Sequence, residues 1–254
     1  MSIIKNEIPL LEYDDTEVST IMPGHEDLGI ALPEKAVFAF LGERIDEYAK
    51  QNHAKVISEF VSITKNYPIY VVEYNGEDVC LCQAPAGAAA AVQMLDWLIG
   101  YGVKKVISAG SCGALTDLPE NALLLPEKAL RDEGASYHYL PPSRWIELNK
   151  KVLDSMEDTL KNLDLPYIKC ATWSTDGFFR ETREKIEYRK AEGIAVVEME
   201  CSALAACAQF RGIEFGQLLF TADSLADGHD ERGWGADSLE KALLLCLAFV
   251  SDLG

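Results

Sequence analysis

Apolar residues recur along the chain in two rhythms. Short runs with hardly a polar break, AVFAFLG at 36–42, VISEFVSIT at 56–64, IYVVEYNG at 69–76 and EDVCLCQAP at 77–85, predict strands. Between the last two, Asn75-Gly76 supplies the positive-φ pair that closes a hairpin. Runs with helical spacing lie among them. ERIDEYAKQ at 43–51 is one, and a longer helix begins at Gly87 and stops at Gly102. KKVISAGS at 104–111, ALLLPEKAL at 122–130, YIKCATWS at 167–174, IAVVEME at 194–200 and FGQLLFTAD at 215–223 continue the strand pattern. The stretch 145–163 predicts a charged amphipathic helix, and Ser238–Leu253 a final one. This alternation predicts an α/β fold: a single-domain, three-layer α/β/α sandwich around a central mixed β-sheet. Residues 1–24 read as an N-terminal extension and 25–254 as the domain.

Composition narrows the partners. The 254 residues carry 23 Lys+Arg against 41 Asp+Glu, a net charge of −18. Such a surface repels nucleic acid and anionic membranes, so neither is expected as a partner. No run has the length of a membrane span, and seven cysteines without a C-x-x-C pair fit a reducing, cytoplasmic setting. The histidines His25, His53, His138 and His229 are scattered, so no metal site is expected.

Three segments at predicted strand ends carry candidate chemistry, where sites gather in such sheets. Ser108-Ala-Gly-Ser-Cys-Gly-Ala114 suits either a tight turn or a cradle whose N–H groups and Ser111 hydroxyl hold an oxyanion. In Val197-Glu-Met-Glu200, Glu200 is a natural acceptor for vicinal sugar hydroxyls with Met199 packed beneath, unless the acids cap the following helix. Asp223 ends an apolar strand, as a turn residue or as a general acid. Together they suit cleavage of an N-glycosidic bond. That reaction needs a gripped ribose, a nucleophile below the anomeric carbon and a proton for the departing base.

From about residue 25 onward the order of motifs resembles the nucleoside phosphorylase superfamily, whose branches include hexameric purine nucleoside phosphorylases, uridine phosphorylases and methylthioadenosine/S-adenosylhomocysteine nucleosidases. Gly-Ser-Cys-Gly-Ala at 110–114 is similar to the phosphate loop of the purine enzymes, and Val-Glu-Met-Glu at 197–200 to the sugar-binding motif. Thr-Ala-Asp at 221–223 resembles the segment whose aspartate protonates purine N7. Trp-Ser-Thr-Asp-Gly-Phe-Phe at 173–179 resembles the one that lays an aromatic ring on the base. Leu-Gly-Glu-Arg-Ile-Asp at 41–46 is similar to the early phosphate motif, and the segment 131–139 is closest to uridine phosphorylases.

The resemblance implies Asp223 as catalytic acid, and Gly42, Arg44 and Ser111 at phosphate. It implies Met199, Glu200 and His25 at ribose, the histidine reaching across a dimer interface. Phe178, Val197 and Glu198 would meet the base. The implied reaction is phosphorolysis of a nucleoside, with a purine favoured, phosphate as co-substrate and no other cofactor, in a homodimer or homohexamer. Ser58 and Ser108 stand where phosphate-binding arginines are usual, which keeps water open as the alternative nucleophile, alongside a uridine-type substrate or a non-catalytic nucleoside binder. Roles for Arg131, Arg180, Arg183 and Arg232 stay open.

Overall fold

The computed structural model describes residues 3–254. Ten strands form one mixed sheet. Five make an open wing: β1 (Lys35–Ala39), β2 (Lys55–Val61), β3 (Asn66–Tyr74), β4 (Glu77–Gln83) and β5 (Lys105–Ala114), in the spatial order β2-β3-β4-β1-β5. Asn75 and Gly76 take φ of 52° and 80°, the pair of left-handed residues that closes the β3–β4 hairpin.

Beyond β5 the sheet curls back on itself. β6 (Leu123–Asp132), β8 (Ile168–Thr175), β9 (Ile194–Glu198) and β10 (Glu214–Ser224) are hydrogen-bonded in sequence around a ring. β5 closes it by pairing β10 in parallel and β9 antiparallel. This closure gathers the ends of β5, β9 and β10 around one hollow.

Both faces of the sheet are covered, as near-continuous apolar strands require. Every residue of β10 after Glu214 is buried, and so are Ala36–Ala39 of β1. Helix α6 (Leu239–Asp252) packs on β1 and β5 and touches α1 (Arg44–Gln51) and α3 (Lys150–Asn162). Helices α2 (Ala88–Gly100) and α5 (Cys201–Arg211) pack on each other, and α4 (Arg183–Ala191) covers β9. No described helix is long and apolar enough to cross a membrane.

One expected element differs. The stretch 145–163 begins as a short strand, β7 (Trp145–Glu147), paired to the outside of β6, and α3 starts only after Asn149. Asn149 caps that helix by accepting the Val152 N–H at 3.2 Å, so the cap, rather than the apolar Trp145, sets the boundary. Trp145 lies on the strand with the Lys128 ammonium over its ring.

Candidate active site

A cavity of about 230 Å³ opens at the curled end of the sheet. Ser111 and Gly113 of β5, Val197 and Glu198 of β9, Met199 and Glu200 after it, and Ala222 and Asp223 of β10 supply its wall. Phe40, Phe178, Glu181, Gln217, Leu225 and Trp234 also line it. The three segments that the sequence marks as chemical are thus brought to one place by the sheet closure.

The two acids of Val197–Glu200 have separate tasks. Glu198 is buried, and its Oε1 accepts the Ser174 hydroxyl at 2.6 Å and the Thr172 hydroxyl at 3.2 Å. Its Oε2 accepts the N–H groups of Glu200 and Cys201, both at 2.7 Å. Four donors saturate the carboxylate, so Glu198 ties the start of α5 to β8 and has no oxygen left for a base. The base contact expected of Glu198 is therefore corrected to that of a cap.

Glu200, by contrast, accepts the Gly87 N–H on Oε1 at 2.6 Å. Gly87 takes φ of 92° at the start of α2, a conformation that suits glycine and turns its N–H toward the cavity. Burial, reinforced by the charge of Glu198, pushes the Glu200 carboxyl up to about 8. Glu200 lines the cavity beside the half-buried Met199.

Asp223 is aimed by a bulge. β10 and β5 stay in register through Thr221 and Cys112, then slip so that Ser224 faces Ala114. The extra residue turns Asp223 inward. Gly113 gives it room, since a Cβ there would lie 3.2 Å from Asp223 Oδ1 and 3.2 Å from Val197 Cγ1. The chain after β10 folds back through a bridge between Ser224 and Asp230. Glu120 holds that loop by accepting the N–H groups of Gly233 and Gly235 at 2.9 Å. The loop sets His229 Nε2 3.3 Å from Asp223 Oδ2 and brings Trp234 to the cavity wall.

Other expected residues divide. Phe178 lines the cavity on a short turn, 43% exposed and edge-on to Phe179, and Val197 is buried opposite. Ser111 is exposed to the cavity. Gly42 and Arg44 are not on its wall. Arg44 pairs with Glu47 on its own helix at 2.5 Å, and both side chains are exposed. His25 is likewise absent from the wall. The adjoining Pro23 and Gly24 pack against Gly100, at the opposite end of α2 from Gly87, so only a second copy could carry His25 to a ribose.

Arg131 is buried and spends its guanidinium on Ser136, Leu140, Pro141 and Ser143, with Tyr137 stacked against it, which makes it the pin of its loop. Arg180, Arg183 and Arg232 do not line the cavity. Among the wall residues that went unmarked in the sequence are Glu181 and Gln217. Cys112 also lines the wall, yet burial pushes its thiol far up and its S–H faces the Phe220 carbonyl, so it is no nucleophile.

The electrostatics of the wall are one-sided. Glu181, Glu198, Glu200 and Asp223 stand on it, and among the described residues no Lys, Arg or His does. At the sheet floor, Gln217 of β10 pairs in register with Ser108 of β5. Both are fully buried, and Ser108 Oγ and Gln217 Oε1 have no hydrogen-bond partner.

This geometry has counterparts. Residues 34–248 match the family model described as the phosphorylase superfamily. The chain belongs to that superfamily. A guanosine phosphorylase of Halorubrum lacusprofundi is 25% identical over 209 residues, covering 77% of this chain and 85% of that one. Among solved structures, a purine nucleoside phosphorylase of Toxoplasma gondii bound to immucillin-H superposes with a TM-score of 0.74 at 19% identity, covering 87% of this chain and 90% of that one. An AMP nucleosidase of Bacteroides thetaiotaomicron gives 0.71 at 21% identity, covering 87% and 88%. The superfamily chain thus shares its fold with enzymes named for phosphorolysis and for hydrolysis alike.

Proposed function

We propose that this superfamily member cleaves the N-glycosidic bond of a purine nucleoside and that water is its nucleophile. Glu200 accepts from the ribose 2′- and 3′-hydroxyls, with Met199 beneath the sugar. Phe178 and Val197 form the slot for the base, and Asp223 protonates the base as it leaves. Charge develops on the base only as the bond breaks, so a carboxylic acid aimed there acts mainly on the transition state.

The observation that carries the choice of water is the wall of four carboxyl groups without a cation. Burial raises the carboxyls of Glu198, Glu200 and Glu181, and the wall offers no positive charge to hold a phosphate dianion out of water. Arginine forks normally offset the cost of burying that dianion, and serine hydroxyls cannot. A neutral nucleophile meets no such barrier. The unpartnered Ser108 Oγ and Gln217 Oε1 are the kind of buried polar pair that a water satisfies.

Phosphorolysis is the second reading. It is favoured by the exposed Ser111 in a glycine loop and by the name of the Halorubrum relative. In that reading phosphate is the co-substrate, and a second copy in a dimer or trimer of dimers lends the positive charge along with His25. Base release from inosine, adenosine and uridine, with and without phosphate, separates the two. Turnover unchanged in phosphate-free buffer supports hydrolysis, and turnover that requires phosphate refutes it.

A further inference from the structure

Trp234 stands on the cavity wall with half of its surface in solvent. The loop after β10 holds it there by three constraints. Glu120 Oε1 accepts the N–H groups on both sides of it, from Gly233 and Gly235, at 2.9 Å each. Gly235 takes φ of 65° and passes so close to β10 that a Cβ would lie 2.9 Å from the Phe220 ring, which admits glycine alone. At the other end, Ser224 and Asp230 exchange backbone hydrogen bonds of 2.9 and 2.8 Å.

Within that frame Trp234 itself takes φ of 56°, a left-handed conformation that bulky residues avoid. An exposed indole on such a backbone is unfavourable twice over, in strain and in apolar surface left in water. It persists because the carboxylate, the glycine and the bridge fix the chain around it. Backbone held in this way clusters at ligand clamps.

Neighbouring side chains show which end of the cavity Trp234 serves. His229 Nε2 lies 3.3 Å from Asp223 Oδ2, and the Trp234 ring meets the His229 ring edge-on with centroids 6.3 Å apart. Trp234 therefore stands at the Asp223 end, on the same cavity as Phe178, whose ring is also exposed.

We propose that Trp234 is a specificity-determining residue: its indole closes the base slot on the solvent side and stacks on a planar two-ring base, so that purines gain more from it than pyrimidines. The inference rests on the N-glycosidic reading above. An indole covers a fused two-ring base over more area than a single ring, and burying both faces removes apolar surface from water. The base stays stacked before and during bond breaking, so the contact acts on KM and leaves kcat nearly unchanged. Glu120 is off the wall and acts only through the loop, as the positioning residue for that ring.

The test joins steady-state kinetics on inosine and adenosine to fluorescence titration with hypoxanthine and adenine, which bind without turnover. Uridine is the control, read as substrate or as competitive inhibitor. Trp234→Ala is expected to raise KM for the better purine nucleoside about tenfold or more, with kcat within about threefold and uridine affinity changed less than about threefold. Trp234→Phe keeps a stacking ring. It should hold that KM within about threefold of wild type yet lose the quenching that the purine base produces in wild type, since Trp97, Trp145 and Trp173 are off the wall. Glu120→Ala should raise the same KM about threefold or more with every wall residue in place. A wild-type KM in Trp234→Ala, an equal loss for purine nucleoside and uridine, or quenching that survives in Trp234→Phe overturns the proposal while leaving the N-glycosidic reading intact. Wild-type protein that cleaves no nucleoside overturns both.

Discussion

Glu198 Oε2 accepts the backbone N–H of Glu200 at 2.7 Å, so one acid of the Val-Glu-Met-Glu run holds the other in place. Removing the first should therefore damage the second. Glu198→Ala strands the Ser174 hydroxyl and the N–H groups of Glu200 and Cys201 in a buried setting, at a cost of about 2–4 kcal/mol. Urea titration is expected to show that loss, and any residual activity should have a raised KM. A variant as stable as wild type contradicts the capping role.

Glu200 links stability to pH. Its carboxyl is raised in the folded state to about 8 from an ordinary 4.5. The contribution of such a group is fully present below the unfolded value and is lost as pH climbs through the folded one. Glu200→Gln keeps an acceptor for Gly87 without the charge. It should gain stability relative to wild type between pH 5 and 9, by about 3–5 kcal/mol at the upper end. The same variant should lose nucleoside affinity. Parallel melting curves for the two proteins across that range contradict the buried, weakly solvated Glu200.

Asp223→Ala should lower kcat for purine nucleosides about 10²- to 10⁴-fold, the range of a general acid, with a loss on uridine below about tenfold. Steady-state rates on inosine and uridine decide this. Equal losses on both refute the proposed protonation of a purine.

Gly113→Ala tests the aim of Asp223 separately from its chemistry. The new Cβ would press on Asp223 Oδ1 and Val197 Cγ1, both at 3.2 Å, with the backbone conformation itself undisturbed. A loss of kcat of about tenfold is expected from a displacement of a few tenths of an ångström, with about 1–3 kcal/mol of stability lost to overpacking. Unchanged kcat on purine nucleosides contradicts a tight fit between these residues.

Much of the architecture was legible because local pattern and tertiary role coincide. The Asn75-Gly76 turn, the apolar runs of β1, β5 and β10 and the start of α2 at Gly87 all rest on short-range rules. What local pattern lacked was the closure of β10 onto both β5 and β6, which depends on pairing between distant segments. Trp145 was misplaced for a related reason: its partner strand, β6, lies outside any helical window.

At the site, motif spacing marked Glu200 and Asp223. It could not divide labour between Glu198 and Glu200, which depends on donors from Thr172, Ser174 and the helix start. Glu181 carried no signal of its own, being one of 41 acids in a polar stretch. Only its return to the cavity beside Asp223 sets it apart. Arg44 lies off the cavity wall, in an exposed pair with Glu47.

The acidic balance of the chain bears on its central claim, because the cavity repeats it: four carboxyl groups and, among the described residues, no cation on the wall. The most direct measurement is phosphorus NMR of a turnover mixture containing a purine nucleoside and inorganic phosphate. The account predicts base and free pentose, with the phosphate signal constant throughout. A pentose 1-phosphate signal growing in step with released base would contradict it.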